Sequence, residues 1–315
     1  MPAGFVAIAL LPVGITLVIV GAEAFFSGLT STAVRLGVSS FFFTILVSGL
    51  EVENIAAGLA ASLAGFPGPA AGTFLGGTTF IALGVAGIGA ILSPFQLHLP
   101  RLFLWWTALA GAPLLFLAQD RTLSRSDGVI LIAYFLVTMF SLHRTTGESG
   151  TGQPDGDDDG ERQRHPWVRL LGGLAALTIG GELLGNGLQA VVSRLGLSAT
   201  LIGNTAIAAL TEAEEIGRIA VPARRGRPDV ATANIGGTAI HFLTLNAGIL
   251  AVVAPLRLDE ATMRLHLPVA VAAPPVFCLI LLLRGGLGRL EGSLLSALYV
   301  AYIVAALAGS SVWAG

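Results

Sequence analysis

Ten apolar runs, each close to the length needed to cross a bilayer, occupy almost the whole chain. They cover roughly 5–27, 40–64, 70–92, 101–119, 127–143, 168–192, 198–221, 230–254, 266–284 and 290–312. A helix needs about 20 apolar residues to cross the hydrocarbon core. In lipid, only helices and closed barrels satisfy their own backbone polar groups. Runs of this length are too long for barrel strands, so the reading is an all-α integral membrane protein with about ten transmembrane helices. Only 11% of the 315 residues are charged, against about a quarter in a soluble domain. That excludes a pair of soluble domains. The first run lacks a basic start and is long, so it reads as a span rather than a leader.

The charged residues then organise the spans. Every basic residue is arginine. With the N-terminus placed outside, the cytoplasmic connections carry 12 of the 17: Arg35, Arg101, Arg144, Arg162, Arg164, Arg169, Arg218, Arg224, Arg225, Arg227, Arg284 and Arg289. The other side carries 5: Arg121, Arg125, Arg194, Arg257 and Arg264. Cytoplasmic loops carry the basic excess, so both termini are expected outside a cell membrane that the chain crosses many times. The polar stretch 144–166 holds Asp155, Asp157, Asp158, Asp159 and Glu161. It reads as an acidic, solvated cytoplasmic linker between a first unit, 1–143, and a second, 167–315. The net charge of −2 gives no case for nucleic acid. The one cysteine, Cys278, cannot form an internal disulfide.

The two units repeat one another. GAEAFFSGLTSTAVRLGVS (21–39) matches GGELLGNGLQAVVSRLGLS (180–198) without a gap, pairing Glu23 with Glu182, Gly28 with Gly187 and Arg35 with Arg194. SGLEVENIAAG (48–58) has a counterpart in ALTEAEEIGR (209–218), and GTFLGGTTF (72–80) in ANIGGTAIHF (233–242). Each unit has five spans, an odd number, so the second enters the membrane from the opposite side. Inverted repeats of this kind are typical of secondary transporters, with the site near the midplane where the repeats meet.

A charged side chain at bilayer depth costs at least about 2.5–3.5 kcal/mol. Glu51, Glu53, Glu212, Glu214 and Glu215 nevertheless lie near or within the second and seventh runs. Hard cations take oxygen ligands, and one carboxylate from each repeat compensates one divalent ion. Ser48, Asn54 and Thr211 lie within a turn or two of the glutamates, and Thr78 and Thr238 follow the paired glycines of spans three and eight. Those glycines either bring neighbouring backbones close or bare carbonyl oxygens. Blander roles stand beside these. Glu214 can simply pair with Arg218 four residues on, and a threonine in a membrane helix often bonds its own preceding turn. Glu23 and Glu182 either tie their helices to the core or line an ion path. His241 has no repeat partner and suits a packed core.

At these residues the chain resembles the cation/calcium exchanger superfamily, the sodium/calcium exchanger membrane region, as a divergent prokaryotic member. The G-A-[DE] step, a glycine and L-G-[IV]-S are matched by residues 21–23, Gly28 and 36–39, and again by 180–182, Gly187 and 195–198. PDVATANIGGT (228–238) is similar to the family's P-D-x-A-x-G-N-x-x-G-S-N segment. The resemblance implies ten spans in two inverted five-helix repeats and sliding of spans one and six past a core. It also implies exchange of Ca²⁺, or a related cation, for Na⁺ or H⁺, with no resident cofactor. Aligning the two halves of the chain pairs Glu53 with Glu212, the preferred ion ligands. Aligning span seven to the family instead selects Glu215 with Thr211, and would put Ala56 in the first half. Glu51 and Glu215 are therefore second choices, together with Asn54, Thr211, Thr78, Thr238 and Ser48. The family's Asn or Asp four residues after its Gly-Ser serine is replaced by Ala82 and Phe242, which implies fewer ligands. A cation channel or a transport-inactive, regulatory relative stays open. An intramembrane enzyme is disfavoured, because no H-E-x-x-H or G-x-S-x-G motif occurs.

Overall fold

Seven helices are long and apolar enough to cross a membrane among the residues that the structure, a computed structural model, describes. These residues are 11–49, 51–97, 99–147, 165–194 and 213–313. The seven helices are α1 (Leu11–Leu36), α4 (Pro67–Leu92), α5 (Arg101–Asp120), α6 (Arg125–Thr145), α9 (Pro228–Val253), α10 (Thr262–Arg284) and α11 (Arg289–Ala308, continuing to Trp313). Four further helices complete the described chain: α2 (Ser40–Ser48), α3 (Val52–Leu63), α7 (Pro166–Arg194) and α8 (Ala213–Arg224). Most of the linker, 148–164, and much of the seventh run lie outside the described residues.

Local sequence sets the ends of these helices. Ser39 caps α2 by accepting the Phe42 N–H at 3.1 Å. Ser124 and Asp127 form a reciprocal capping box at the start of α6. The α3–α4 and α8–α9 corners use one device. A glycine with positive φ, Gly65 (83°) or Gly226 (73°), reverses the chain. Two residues later, Pro67 or Pro228 opens the next helix at a position whose N–H has no intrahelical partner.

The second run is expected to be one helix over 40–64, but it is broken. α2 stops at Gly49 and α3 restarts after Glu51. Gly49 is required there because a Cβ on it would lie 2.2 Å from the His241 ring of α9. α4 and α9 are the innermost helices, buried over 78% and 83% of their most apolar stretches. Each contains a π-helical turn, Phe80–Val85 in α4 and His241–Asn246 in α9. By contrast, α11 is buried over only 11% of its apolar stretch, with Leu290, Leu294, Val300 and Val304 exposed and Leu295 packed inward.

Two short strand pairs join segments distant in the chain. β1 (Phe95–Gln96), after α4, pairs antiparallel with β4 (Gly286–Leu287), between α10 and α11. β3 (Leu256–Arg257), after α9, pairs antiparallel with β2 (Thr122–Leu123), between α5 and α6.

The apolar interior falls into two clusters. The larger is built on α4, α9 and their neighbours. The smaller lies between α1 and α7 and reaches the core through Phe43 and Val230. α1 and α7 approach through glycines: a Cβ on Gly28 would lie 2.2 Å from the Leu170 nitrogen, and one on Gly173 would lie 2.3 Å from the Phe25 nitrogen. Small residues permit such contact where no hydrophobic effect drives helices together in lipid.

Candidate functional site

The break between α2 and α3 puts a carboxylate inside the helix bundle. Glu51 is the residue just before α3 and makes no side-chain cap to its own helix. Its carboxylate instead accepts a short hydrogen bond from the Asn54 amide and faces α8 across the bundle. Glu214 and Glu215 are among the first described residues of α8. One turn on, Arg218 returns to the same point.

Arg218 organises the cluster. Its Nη2 donates to Glu214 Oε1 at 3.0 Å, and its Nη1 donates to Glu215 in a short contact. The same Nη1 lies 3.9 Å from Glu51 Oε1. Glu215 also accepts from the Asn234 amide of α9 at 2.8 Å. All of these side chains are buried: Glu215 and Asn234 are each 1% exposed, Glu51 and Arg218 each 4%, and Glu214 7%. Three carboxylates with one guanidinium carry two formal negative charges in excess when ionised. The guanidinium stands 5.5 Å from the centre of the Phe25 ring of α1. Beside it a small cavity is lined by Phe25, Phe26, Thr44, Arg218 and Asn234, among others. The Asn234 side-chain oxygen is buried and has no hydrogen-bond partner among the described residues.

Among the described residues, no three of His, Cys, Asp and Glu converge closely enough to hold a metal ion. The carboxylates converge on Arg218 instead.

The residues singled out by sequence fall in several places. Glu51, Asn54 and Glu215 meet in the cluster. Glu53 lies in the first turn of α3 and Ser48 ends α2, but their side chains lie outside those described. Glu212 and Thr211 lie outside the described residues. Thr78 donates to the Phe74 carbonyl of its own preceding turn at 2.7 Å. Thr238 is fully buried on α9. The glycine pairs admit aromatic rings: a Cβ on Gly77 would lie 2.2 Å from Phe242, and one on Gly236 would lie 2.4 Å from Phe103. Glu23 of α1 pairs with Arg225 at 3.6 Å, while Glu182 is exposed on α7. His241 is fully buried, bonded through Nδ1 to the Gly237 carbonyl at 2.8 Å and edge-on to Phe135.

Two contacts of the cluster are not written in the sequence. The i, i+4 spacing exposes the Glu214–Arg218 pair, but not the approach of Glu51 to Arg218 from the α2–α3 break. Asn234 matches the asparagine of the family's P-D-x-A-x-G-N segment, but its bond to Glu215 is seen only in the packing of α8 against α9.

The chain as a whole has relatives among known proteins. The family model described as sodium/calcium exchanger protein matches residues 6–142 and 165–308. The chain is 28% identical over 304 residues to the putative antiporter CaxA of Alkalimonas amylolytica, covering 92% of this chain and 95% of that protein. It is 24% identical over 338 residues to the sodium/calcium exchanger MaX1 of Methanosarcina acetivorans, covering 94% and 97%. A solved structure of the sodium-calcium exchanger NCX_Mj superposes with a TM-score of 0.78 at 21% identity, covering 96% of this chain and 97% of that one. At that identity the likeness speaks for the fold.

Proposed function

The chain belongs to the sodium/calcium exchanger protein family, and on that premise we propose that it is a secondary active cation antiporter. It exchanges Ca²⁺, or a related cation, for Na⁺ or H⁺ across the cell membrane by alternating access. Its partners are the lipid bilayer and inorganic cations, which are cargo. The carrying observation is the buried set Glu51, Asn54, Glu215 and Asn234, drawn from the α2–α3 break of the first unit and from α8 and α9 of the second. A net-negative cluster this deep in an apolar bundle is costly, and binding a cation offsets that cost.

The architecture supports the reading. Ten crossings arise when the seven long helices are joined by α7, by the broken pair α2–α3, and by the seventh run that ends in α8. The reciprocal strand pairs suit two inverted five-helix repeats, 1–143 and 167–315, joined by the 144–166 linker. The arginine excess favours a cytoplasmic linker and both termini outside. The separate α1–α7 cluster suits a pair of helices that slides as one body against a fixed core.

Glu51 and Glu215 are the ligands that the geometry favours. Glu53 and Glu212, the pair favoured by internal symmetry, are the second reading. Ion-dependent unfolding of the purified protein in detergent separates them. A ligand at about one hundred times its Kd stabilises the native state by about 2.7 kcal/mol. Screening Na⁺, K⁺, Ca²⁺, Mg²⁺ and Mn²⁺ is expected to single out the cargo. Glu51→Gln and Glu215→Gln are expected to abolish that stabilisation. If Glu53→Gln and Glu212→Gln abolish it instead, the symmetric pair holds the ion. No response to any cation refutes the assignment.

A further inference from the structure

Three buried carboxylates meet here around a cation that is part of the protein. We propose that Arg218 is a tethered counter-cation: its guanidinium occupies the carboxylate cage in the ion-free state, and a transported cation must displace it. The inference rests on the antiporter reading and assigns a specificity-determining residue to the same site.

Contact geometry carries the argument. The two arms of the guanidinium reach all three carboxylates, Nη1 toward Glu215 and Glu51 and Nη2 toward Glu214. These oxygens are the ones that a hard cation would need. Among the described residues the carboxylates do not form a metal-holding group as they stand, and the partner they share is Arg218. The cage is therefore shaped around the planar, forked guanidinium, whose donor geometry fits carboxylates. Glu215 and the Asn234 amide are already bonded. Asn234 is 1% exposed, and its side-chain oxygen has no partner among the described residues. It is an oxygen ligand held ready for a cation that the arginine does not satisfy.

The surroundings show where room for the arginine would have to open. The cavity lined by Phe25, Phe26, Thr44 and Asn234 adjoins the guanidinium and borders α1. Phe25, which faces the guanidinium, belongs to α1, and α8 rests on α1 where Gly217 approaches Val18 and Ala22. A shift of α1 against the core therefore changes the space available to Arg218. With the guanidinium in place, the cage holds its own partial counter-charge and needs one positive charge fewer before it rearranges. With an inorganic cation in place, the arginine leaves the cage only as α1 shifts, because the cavity as it stands has room for about one water.

Cation affinity of the purified full-length chain tests this, read by ion-dependent unfolding with Ca²⁺ and with Na⁺ as probes. Arg218→Gln is expected to bind at least one of them about tenfold or more tightly than the natural chain, because a unit positive charge has left the ion's immediate neighbourhood. Arg218→Ala is expected to gain stability from millimolar guanidinium chloride, which then competes with the inorganic ion. The natural chain is expected to gain none. Should these variants fail to fold with their carboxylates uncompensated, Arg218→Gln combined with Glu214→Gln removes one charge of each sign. It is expected to bind the cation more tightly than the natural chain. A natural chain that binds cations, with variants of equal or weaker affinity, overturns the tethered cation and leaves antiport intact. A chain in which neither form responds to any cation removes both.

Discussion

Two adjacent glycines of α7 are expected to respond in opposite ways to the same added methyl group. A Cβ on Gly173 would lie 2.3 Å from the Phe25 nitrogen, 2.7 Å from its Cα and 2.8 Å from the Gly21 carbonyl oxygen. Ordinary contacts begin near 3.4 Å, so α1 and α7 must separate by about 1 Å to admit it. The atoms met are backbone, so no side chain can turn aside. Overpacking of this kind costs about 1–3 kcal/mol. Gly172, one residue earlier, is exposed, and a methyl group there would meet nothing within 4 Å. Alanine at that position gains helix propensity, worth up to about 1 kcal/mol over glycine in water. Thermal unfolding in detergent is expected to place Gly173→Ala a few degrees below the natural chain and Gly172→Ala at or above it. Equal loss in the two variants would refute the backbone contact between α1 and α7.

Gly49→Ala is expected to lower stability by about 1–3 kcal/mol, since its methyl would strike the buried His241 ring at 2.2 Å; chemical unfolding measures it, and trimming the ring in a Gly49→Ala, His241→Ala pair should recover part of the loss. Arg225→Ala should cost less than about 1 kcal/mol, with the loss shrinking as salt rises, because the Glu23–Arg225 pair is solvent-accessible; an effect that persists at high salt would contradict this. Glu214→Gln should weaken the hold on Arg218 and tighten cation binding relative to Glu215→Gln, which also loses the Asn234 bond; the same ion-dependent unfolding reads both.

Length and hydropathy made much of the fold legible. Runs 101–119 and 127–143 appear as Arg101–Asp120 and Arg125–Thr145, because a membrane helix is written in consecutive residues. The break at Gly49 was not legible. There a ring far along the chain, His241 of α9, leaves no room for a side chain on Gly49. The π turns in α4 and α9 likewise leave no mark on an apolar pattern. At the site, spacing along α8 pairs Glu214 with Arg218. That Glu51 joins them depends on how two distant segments pack. Symmetry selected Glu53 and Glu212, whereas the described contacts draw in Glu51 and Glu215, each two or three residues away. Alignment of halves is blind to a local break in a helix.

Counter-ion-driven flux tests antiport most directly. Proteoliposomes holding the purified chain, loaded with Na⁺ or set at an inside-acid pH, are expected to take up external ⁴⁵Ca²⁺ saturably only while the gradient lasts. Glu215→Gln should abolish the uptake. Uptake that proceeds equally without either gradient would mark a channel. No uptake of any cation under either gradient would contradict the exchanger account.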